Sequence, residues 1–121
     1  MNKVELIGRL TSNPDIRGEG TGLTARFTLA VQKAYTYGDE SADFIRCVGF
    51  GRVAEILERW VTKGKRIGVV GYIHTGHYVN RRGERVYYTN VVAEQVEFLD
   101  SMKSDPKPET ENDGIEDDIP F

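Results

Sequence analysis

Residues 43–51, Asp-Phe-Ile-Arg-Cys-Val-Gly-Phe-Gly, decide how the rest of this 121-residue chain is interpreted. In an extended strand, successive side chains point to opposite faces. One face of this stretch carries small or apolar side chains that suit a packed interior: Ile45, Cys47 and Gly49. The other face carries two aromatic rings, a guanidinium and a valine: Phe44, Arg46, Val48 and Phe50. The pattern predicts a strand whose outer face is aromatic and cationic.

Two interpretations of that outer face are open. An aromatic and cationic surface suits single-stranded nucleic acid, because bases stack on aromatic rings and arginine pairs with phosphate. Alternatively, Phe44 and Phe50 belong to the core, and Arg46 reaches water from its edge. Residues 43–51 alone do not distinguish the two.

Strands are predicted on both sides of this stretch. Upstream, residues 4–10 and 23–33 alternate apolar and polar side chains, and a glycine-rich loop at 11–22 separates them. Downstream, apolar side chains recur at the spacing of an amphipathic helix: Val53, Ile56, Leu57, Trp60 and Val61. Gly64 ends that helix, and Trp60 is assigned to the core. Residues 66–74 and 86–99 return to strand character around a loop or long hairpin at 76–85.

This order of elements predicts an all-β fold, a five-stranded antiparallel OB-fold barrel with one α-helix between strands 3 and 4. Glycines inside the strands fit the sharp bends that a small barrel needs: Gly8, Gly49, Gly68 and Gly71. Such barrels commonly bind an oligonucleotide or an oligosaccharide across their middle strands.

Charge is segregated along the chain. Residues 1–99 hold 14 Lys and Arg against 11 Asp and Glu, a net +3, whereas residues 100–121 hold 2 against 8, a net −6. A basic body favours a polyanionic partner, and the acidic end indicates a separate role. No apolar run is long enough to cross a membrane and no signal segment opens the chain, so a cytoplasmic protein is expected.

Signals for catalysis are weak. Cys47 is the only cysteine, and the two histidines, His74 and His77, lack further ligands at metal-binding spacing. Neither a metal nor another cofactor is therefore expected. The sequence contains no phosphate-binding glycine loop and no nucleophile motif, so an enzyme is disfavoured.

Aromatic residues that neighbour basic residues form the candidate binding set. The predicted stacking residues lie on strands and loops of the same sheet: Tyr35, Phe44, Phe50 and Tyr78. The predicted phosphate-binding residues accompany them: Lys33, Arg46, Arg52, Arg81, Arg82 and Arg85. The repetition of this pairing favours single-stranded nucleic acid over the core interpretation.

The end of the chain predicts a second function. Residues 100–112 are polar and contain two prolines, which predicts a disordered linker after a domain at 1–99. Residues 113–121 form an acidic tip with an apolar end, and a terminus that only solvates the chain has no need of that end. The tip is therefore predicted to bind a partner pocket with a basic rim. Its predicted contact residues are Asp117, Asp118, Ile119, Pro120 and Phe121.

Several motifs of the chain resemble the bacterial-type single-stranded DNA-binding protein family. They lie at residues 2–10 (Asn-Lys-Val-Glu-Leu-Ile-Gly-Arg-Leu), 27–31 (Phe-Thr-Leu-Ala-Val), 44–55 (Phe-Ile-Arg-Cys-Val-Gly-Phe-Gly-Arg-Val-Ala-Glu) and 117–121 (Asp-Asp-Ile-Pro-Phe). The similarity covers residues 1–99 and the last few residues.

The resemblance implies a homotetramer of OB-fold domains that binds single-stranded DNA with little sequence preference. It also implies that the tip recruits replication, recombination and repair proteins. It assigns the family's stacking aromatics to the four residues chosen above. Several of these positions are often tryptophan in the family but are Tyr or Phe here, so tryptophan fluorescence is expected to report DNA weakly.

Three alternative functions stay open. An OB-fold primosome protein or RNA-binding accessory protein would use the same surface of the barrel. A nuclease would add metal-dependent cleavage on the same barrel. A protein-interaction hub would depend on the acidic tip alone.

Overall fold

The computed structural model describes residues 1–34 and 41–100. The elements follow in this order: β1 (Val4–Leu10), β2 (Asp15–Arg17), a 3₁₀ turn (Gly20–Gly22), β3 (Thr24–Gln32), β4 (Ala42–Phe50), α1 (Arg52–Trp60), β5 (Arg66–Val79) and β6 (Arg85–Phe98). The five longer strands coincide with the five predicted ones, and the helix lies where it was expected.

Five of the strands close into a barrel. Their order is β1-β5-β6-β4-β3, and β1 then pairs with β3 at Arg9↔Ala30 and Leu10↔Leu29. β2 adds a short strand on the free edge of β3. The predicted OB-fold barrel is confirmed.

The prediction of a wholly antiparallel barrel is wrong at one seam. β6 runs parallel to β4, with Cys47↔Val91 and Gly49↔Ala93 in register. Because α1 carries the chain from β4 to the start of β5, the β5–β6 hairpin brings β6 back in the direction of β4. Alternation shows which face a side chain occupies, but it carries no information on strand direction.

Two segments that were expected to be loop contain strand. Asp15–Arg17, inside the predicted loop at 11–22, is β2, and three residues are too few to show alternation. β5 continues to Val79, so the predicted loop or hairpin at 76–85 consists of strand ends around a tight turn at 80–84.

β5 and β6 extend beyond the barrel as a two-stranded arm, residues 72–79 and 85–90. β1 pairs with β5 only as far as Val4↔Gly71, and β4 pairs with β6 only at residues 91–93. At the first boundary the Asn2 carboxamide accepts a hydrogen bond from the Ile73 N–H at 2.9 Å and donates one to the Ile73 carbonyl at 2.8 Å. A side chain therefore ends the β1–β5 ladder just before Val4, where β1 begins.

Two glycines allow the close approaches that shape the barrel. At Gly8, β1 turns from β5 towards β3, and an added Cβ would lie 2.6 Å from the Ala30 carbonyl oxygen. At Gly71 the β5–β6 register shifts by a bulge, and an added Cβ would collide with the Val92 carbonyl oxygen. The sequence prediction that these strand glycines mark bends agrees with this geometry.

The core lies inside the barrel and under α1. Its largest fully buried side chains come from three elements and the segment after the helix: Leu29, Leu57, Ile67, Val61 and Val69. α1 sits close to β4 because Gly49 has no side chain, and a Cβ there would lie 2.8 Å from Val53 Cγ1. Trp60 is half-buried against the core, as expected, and its ring lies 5.2 Å from the Arg59 guanidinium carbon.

A carboxylate clasp holds the end of β6 against the barrel. Asp100 Oδ2 accepts hydrogen bonds from the Arg66 N–H at 3.0 Å and from Arg9 Nη1 at 2.9 Å. The Arg66 N–H, and then the Arg9 guanidinium, lower the pKa of Asp100 below its ordinary value of 3.8. Arg9 Nη1 also donates to the Gly64 carbonyl at 2.9 Å, which ties the segment after α1 to the clasp.

In the part of the chain that the structure describes, no helix has the length and apolar character to cross a membrane.

Candidate nucleic-acid interface

A groove of about 860 Å³ crosses the outer face of β3, β4, β5 and β6. Aromatic, arginine and histidine residues line it, among them Phe50, Tyr72, Tyr78, Tyr88, Arg26, Arg46, His74 and His77. Asn13, Asp15 and Asn90 add polar groups to the lining. The carboxylate of Asp15 is partnered by Arg17, whose Nε lies 3.2 Å away, so the groove charges that lack an ion-pair partner among residues 1–34 and 41–100 are cationic.

β4 presents the aromatic and cationic face that its alternation predicts. Phe44 is 68% exposed and Phe50 is 53% exposed, and Arg46 between them is exposed as well. The alternative that these phenylalanines belong to the core is therefore wrong. Val48 is buried on that face. Phe50 and Arg46 line the groove, whereas Phe44 lies farther along β4, paired in register with Ala30.

Cys47 lies behind the groove on the opposite face of β4. It is 3% exposed, and burial raises the pKa of its thiol to about 12. Its Sγ donates to the Ile45 carbonyl at 3.6 Å. The thiol is therefore a packing group, because the reactive form of cysteine is the thiolate.

The opposite wall of the groove is the β5–β6 arm. Tyr72, His74 and Tyr78 share one face of β5, and Tyr88 reaches them from β6. The Tyr88 ring centroid lies 6.1 Å from that of His74 and 6.4 Å from that of Tyr78. Tyr78, the predicted stacking residue on this wall, is 54% exposed.

The predicted phosphate-binding residues are spread over several places. Of them, Arg46 lines the groove. Lys33, at the end of β3, forms an ion pair with Asp43. Arg52 faces a separate hollow of about 540 Å³ beside α1, which also contains Glu55 and Glu58.

The other three predicted cations lie at the tip of the arm, outside the groove lining. Arg81 and Arg82 are in the turn at 80–84, and Arg85 opens β6. The turn is ordered by Asn80, whose Oδ1 accepts hydrogen bonds from the N–H groups of Arg82 and Glu84, both at 2.9 Å. The arm thus ends in three exposed cations, in or next to a turn that hydrogen bonds to Asn80 order.

Several groove residues were not selected from the sequence, among them Arg26, Tyr72, His74 and Tyr88. Arg26 lies on the polar face of β3 and pairs in register with Val48, next to the aromatic face of β4. Tyr72, His74 and Tyr88 alternate along their strands with residues of the other face, so the sequence signal for their position was a period of two residues. Period 2 alone does not say which strands are neighbours, and the register supplies that information.

Two parts of the predicted site lie outside the described residues. They are Tyr35 and the tip residues Asp117, Asp118, Ile119, Pro120 and Phe121. Among residues 1–34 and 41–100, three or more His, Cys, Asp or Glu side chains do not come together as a metal site would require.

Comparison with known proteins gives one consistent result. Residues 1–99 match the Single-strand binding protein family. A single-stranded DNA-binding protein of Clostridium perfringens is 47% identical over 84% of this chain and 67% of its own length. One of Enterococcus faecalis is 45% identical over 86% of this chain, and the match spans 57% of that relative.

A solved structure has the same fold. The Plasmodium falciparum SSB complex with ssDNA superposes with a TM-score of 0.74 at 25% identity, covering 83% of this chain and 96% of that one.

Proposed function

Since this chain belongs to the Single-strand binding protein family, we propose that it binds single-stranded DNA without strong sequence preference and without acting on it as an enzyme. The observation that carries the proposal is the groove between β4 and the arm, where the exposed rings of Phe50 and Tyr78 lie in the same lining as Arg26 and Arg46. The relatives named as single-stranded DNA-binding proteins, and the structural neighbour, an SSB complex with ssDNA, support the same ligand.

Base stacking and phosphate pairing both contribute to the proposed DNA binding. Each base stacked on an aromatic side chain contributes about 1–3 kcal/mol, nearly independent of base identity. The stacking residues are Tyr35, Phe44, Phe50 and Tyr78, and the phosphate-binding residues are Lys33, Arg46, Arg52, Arg81, Arg82 and Arg85. The exposure of Phe44, Phe50 and Tyr78 supports this assignment, since a base needs an accessible ring face.

The acidic tip would carry the second function. Residues 1–99 form the binding domain, residues 100–112 the linker and residues 113–121 the tip that recruits replication, recombination and repair proteins. The net charge of −6 after residue 99, against +3 before it, supports weak competition of the tail with DNA for the cationic groove. Four such chains would assemble into a homotetramer, and the complex would act on DNA in the cytoplasm, associated with the nucleoid.

Anisotropy titration of a labelled oligo-dT tests the DNA-binding proposal. We expect tight binding at low salt, weaker binding at about tenfold higher salt because counterions are released, and little binding to a duplex of equal length. Phe44→Ala should lower the affinity about 5- to 100-fold, from the stacking free energy. Tyr87→Ala, which removes a tyrosine that is 70% exposed on the other face of β6, is the matched control. Equal binding to duplex would refute the proposed single-strand preference, and no effect of Phe44→Ala would refute the stacking role of Phe44, which lies beyond the groove lining.

The same titration separates the alternatives. Equal affinity for RNA of the same length would favour an RNA-binding protein, and cleavage of the labelled DNA in the presence of Mg²⁺ would favour a nuclease. Removal of residues 113–121 should leave DNA affinity equal or higher and abolish recruitment of a purified DNA-processing partner. Loss of DNA binding on truncation would contradict the division between domain and tip.

A further inference from the structure

Gly76 and Tyr88 face each other across the β5–β6 arm and fit together. They are register partners, and Tyr88 lies over the space that a side chain at Gly76 would fill. A Cβ added to Gly76 would collide with the Tyr88 hydroxyl and lie 2.6 Å from Cζ and 3.1 Å from Cε2. Glycine inside a strand weakens the strand and often marks a close approach. Here the missing side chain leaves a space on β5 that the Tyr88 ring occupies, and this space is the seat of the ring.

The seat places Tyr88 in a row of rings along the groove wall. His74 and Tyr78 flank Gly76 on the same face of β5, two residues away on either side. The Tyr88 ring lies between them, tilted by 48° to His74 and by 35° to Tyr78. Tyr88 is half-buried because one side of its ring rests on the strand, while the ring still lines the groove.

We propose that Tyr88, held over Gly76, is a further base-stacking residue that extends the Tyr78 surface to a second, adjacent nucleotide. The inference rests on the proposed binding of single-stranded DNA and names a contact that the groove provides for it. Because the ring is already seated on the strand, little side-chain freedom remains to be lost when a base stacks on it. The neighbouring Tyr87 points to the opposite face of β6 and is not part of the groove lining, although its ring centroid lies 5.7 Å from that of His77, which does line the groove.

Tryptophan placed at the two neighbouring positions gives a direct test. Trp60 is the only natural tryptophan and lies on α1, away from the groove lining, so titration of the unmodified protein measures its background. In Tyr88→Trp, oligo-dT should quench the new fluorescence as bases stack on the indole. In Tyr87→Trp, the matched control, the quenching should stay near the background. Equal quenching in both variants, or none in Tyr88→Trp while anisotropy still reports binding, would overturn the proposal.

Affinity measurements supply an independent test of the seat. Tyr88→Ala should weaken oligo-dT binding about 5- to 100-fold, whereas Tyr88→Phe, which keeps the ring, should bind within about twofold of the natural protein. Gly76→Ala should push the ring tip aside and weaken binding severalfold. In the Tyr88→Ala background, Gly76→Ala should have no further effect.

Additive losses in the double variant would show that Gly76 acts independently of Tyr88 and would refute the seat. Absence of any oligo-dT binding by the natural protein would instead refute the proposed function, so the two failures are distinguishable. Thermal unfolding of each variant checks that the fold persists, which is expected because the colliding atoms belong to the far end of a side chain.

Discussion

Cys47 lies directly behind the groove, where burial keeps its thiol protonated. Burial raises the pKa of this thiol from 9.0 to about 12, so thiolate is much rarer than in an unfolded chain. We therefore expect iodoacetamide at pH 8 to label the native protein much more slowly than the protein unfolded in urea, by about 100-fold or more, as followed by mass spectrometry. Cys47→Ser should take up no label. Equal rates in the two states would show that the thiol is accessible.

Asp100 gives the clasp at the end of β6 a defined pH dependence. Its pKa is lower in the folded chain than in the unfolded one, so the carboxylate stabilises the fold above its ordinary pKa of 3.8. That contribution is lost as the pH falls through the lower, folded value. Asp100→Asn should therefore unfold at lower urea concentration than the natural protein at pH 7, and the difference should shrink towards pH 3. Glu94→Gln, at an exposed carboxylate, is the control, and a difference independent of pH would contradict the clasp.

Glycines of one strand differ in whether a side chain would fit at their position, and Gly71 and Gly68 of β5 form a matched pair. A Cβ at Gly71 would collide with the Val92 carbonyl oxygen, whereas a Cβ at Gly68 would find its nearest atom 3.7 Å away, at Glu97. Gly71→Ala should lower the free energy of unfolding by about 3 kcal/mol or more, because backbone atoms must move. Gly68→Ala should change it by less than about 1 kcal/mol. Urea denaturation measures both, and similar losses would show that the bulge is not the cause.

Elements were predictable from the sequence where the pattern is long enough. Val4–Leu10 and the helix around Leu57 each show their period over seven or more residues, and both were located correctly. The sequence did not predict β2, because three residues are too few to show alternation. It also did not predict the parallel pairing at Cys47↔Val91, because alternation does not depend on strand direction. For the site, the exposure of Phe44 followed from alternation, but the position of Tyr88 required the register.

Charge is a property of the whole molecule, and the structure separates cations that a sequence count treats alike. Arg46 lines the groove, whereas Arg59 lies over Trp60 on α1. Arg46→Ala should therefore weaken oligo-dT binding and reduce the slope of log affinity against log salt by about 0.7, the value for one phosphate of a single strand. Arg59→Ala removes the same charge from the helix and should leave the slope unchanged. Anisotropy titrations at four salt concentrations would compare the slopes, and equal changes would mean that only net charge matters.

The strand pairing of the two-stranded arm affects the order in which parts of the domain open. Residues 72–79 and 85–90 are held by one neighbouring strand each among those described, whereas the middle of β4, Cys47–Gly49, is paired on both sides. Segments with fewer partners open locally, without unfolding of the whole domain. The groove therefore has one wall in the barrel and one wall on the arm, and the arm is expected to open more readily. Amide hydrogens of the arm should exchange with solvent before those of Cys47–Gly49 in the barrel.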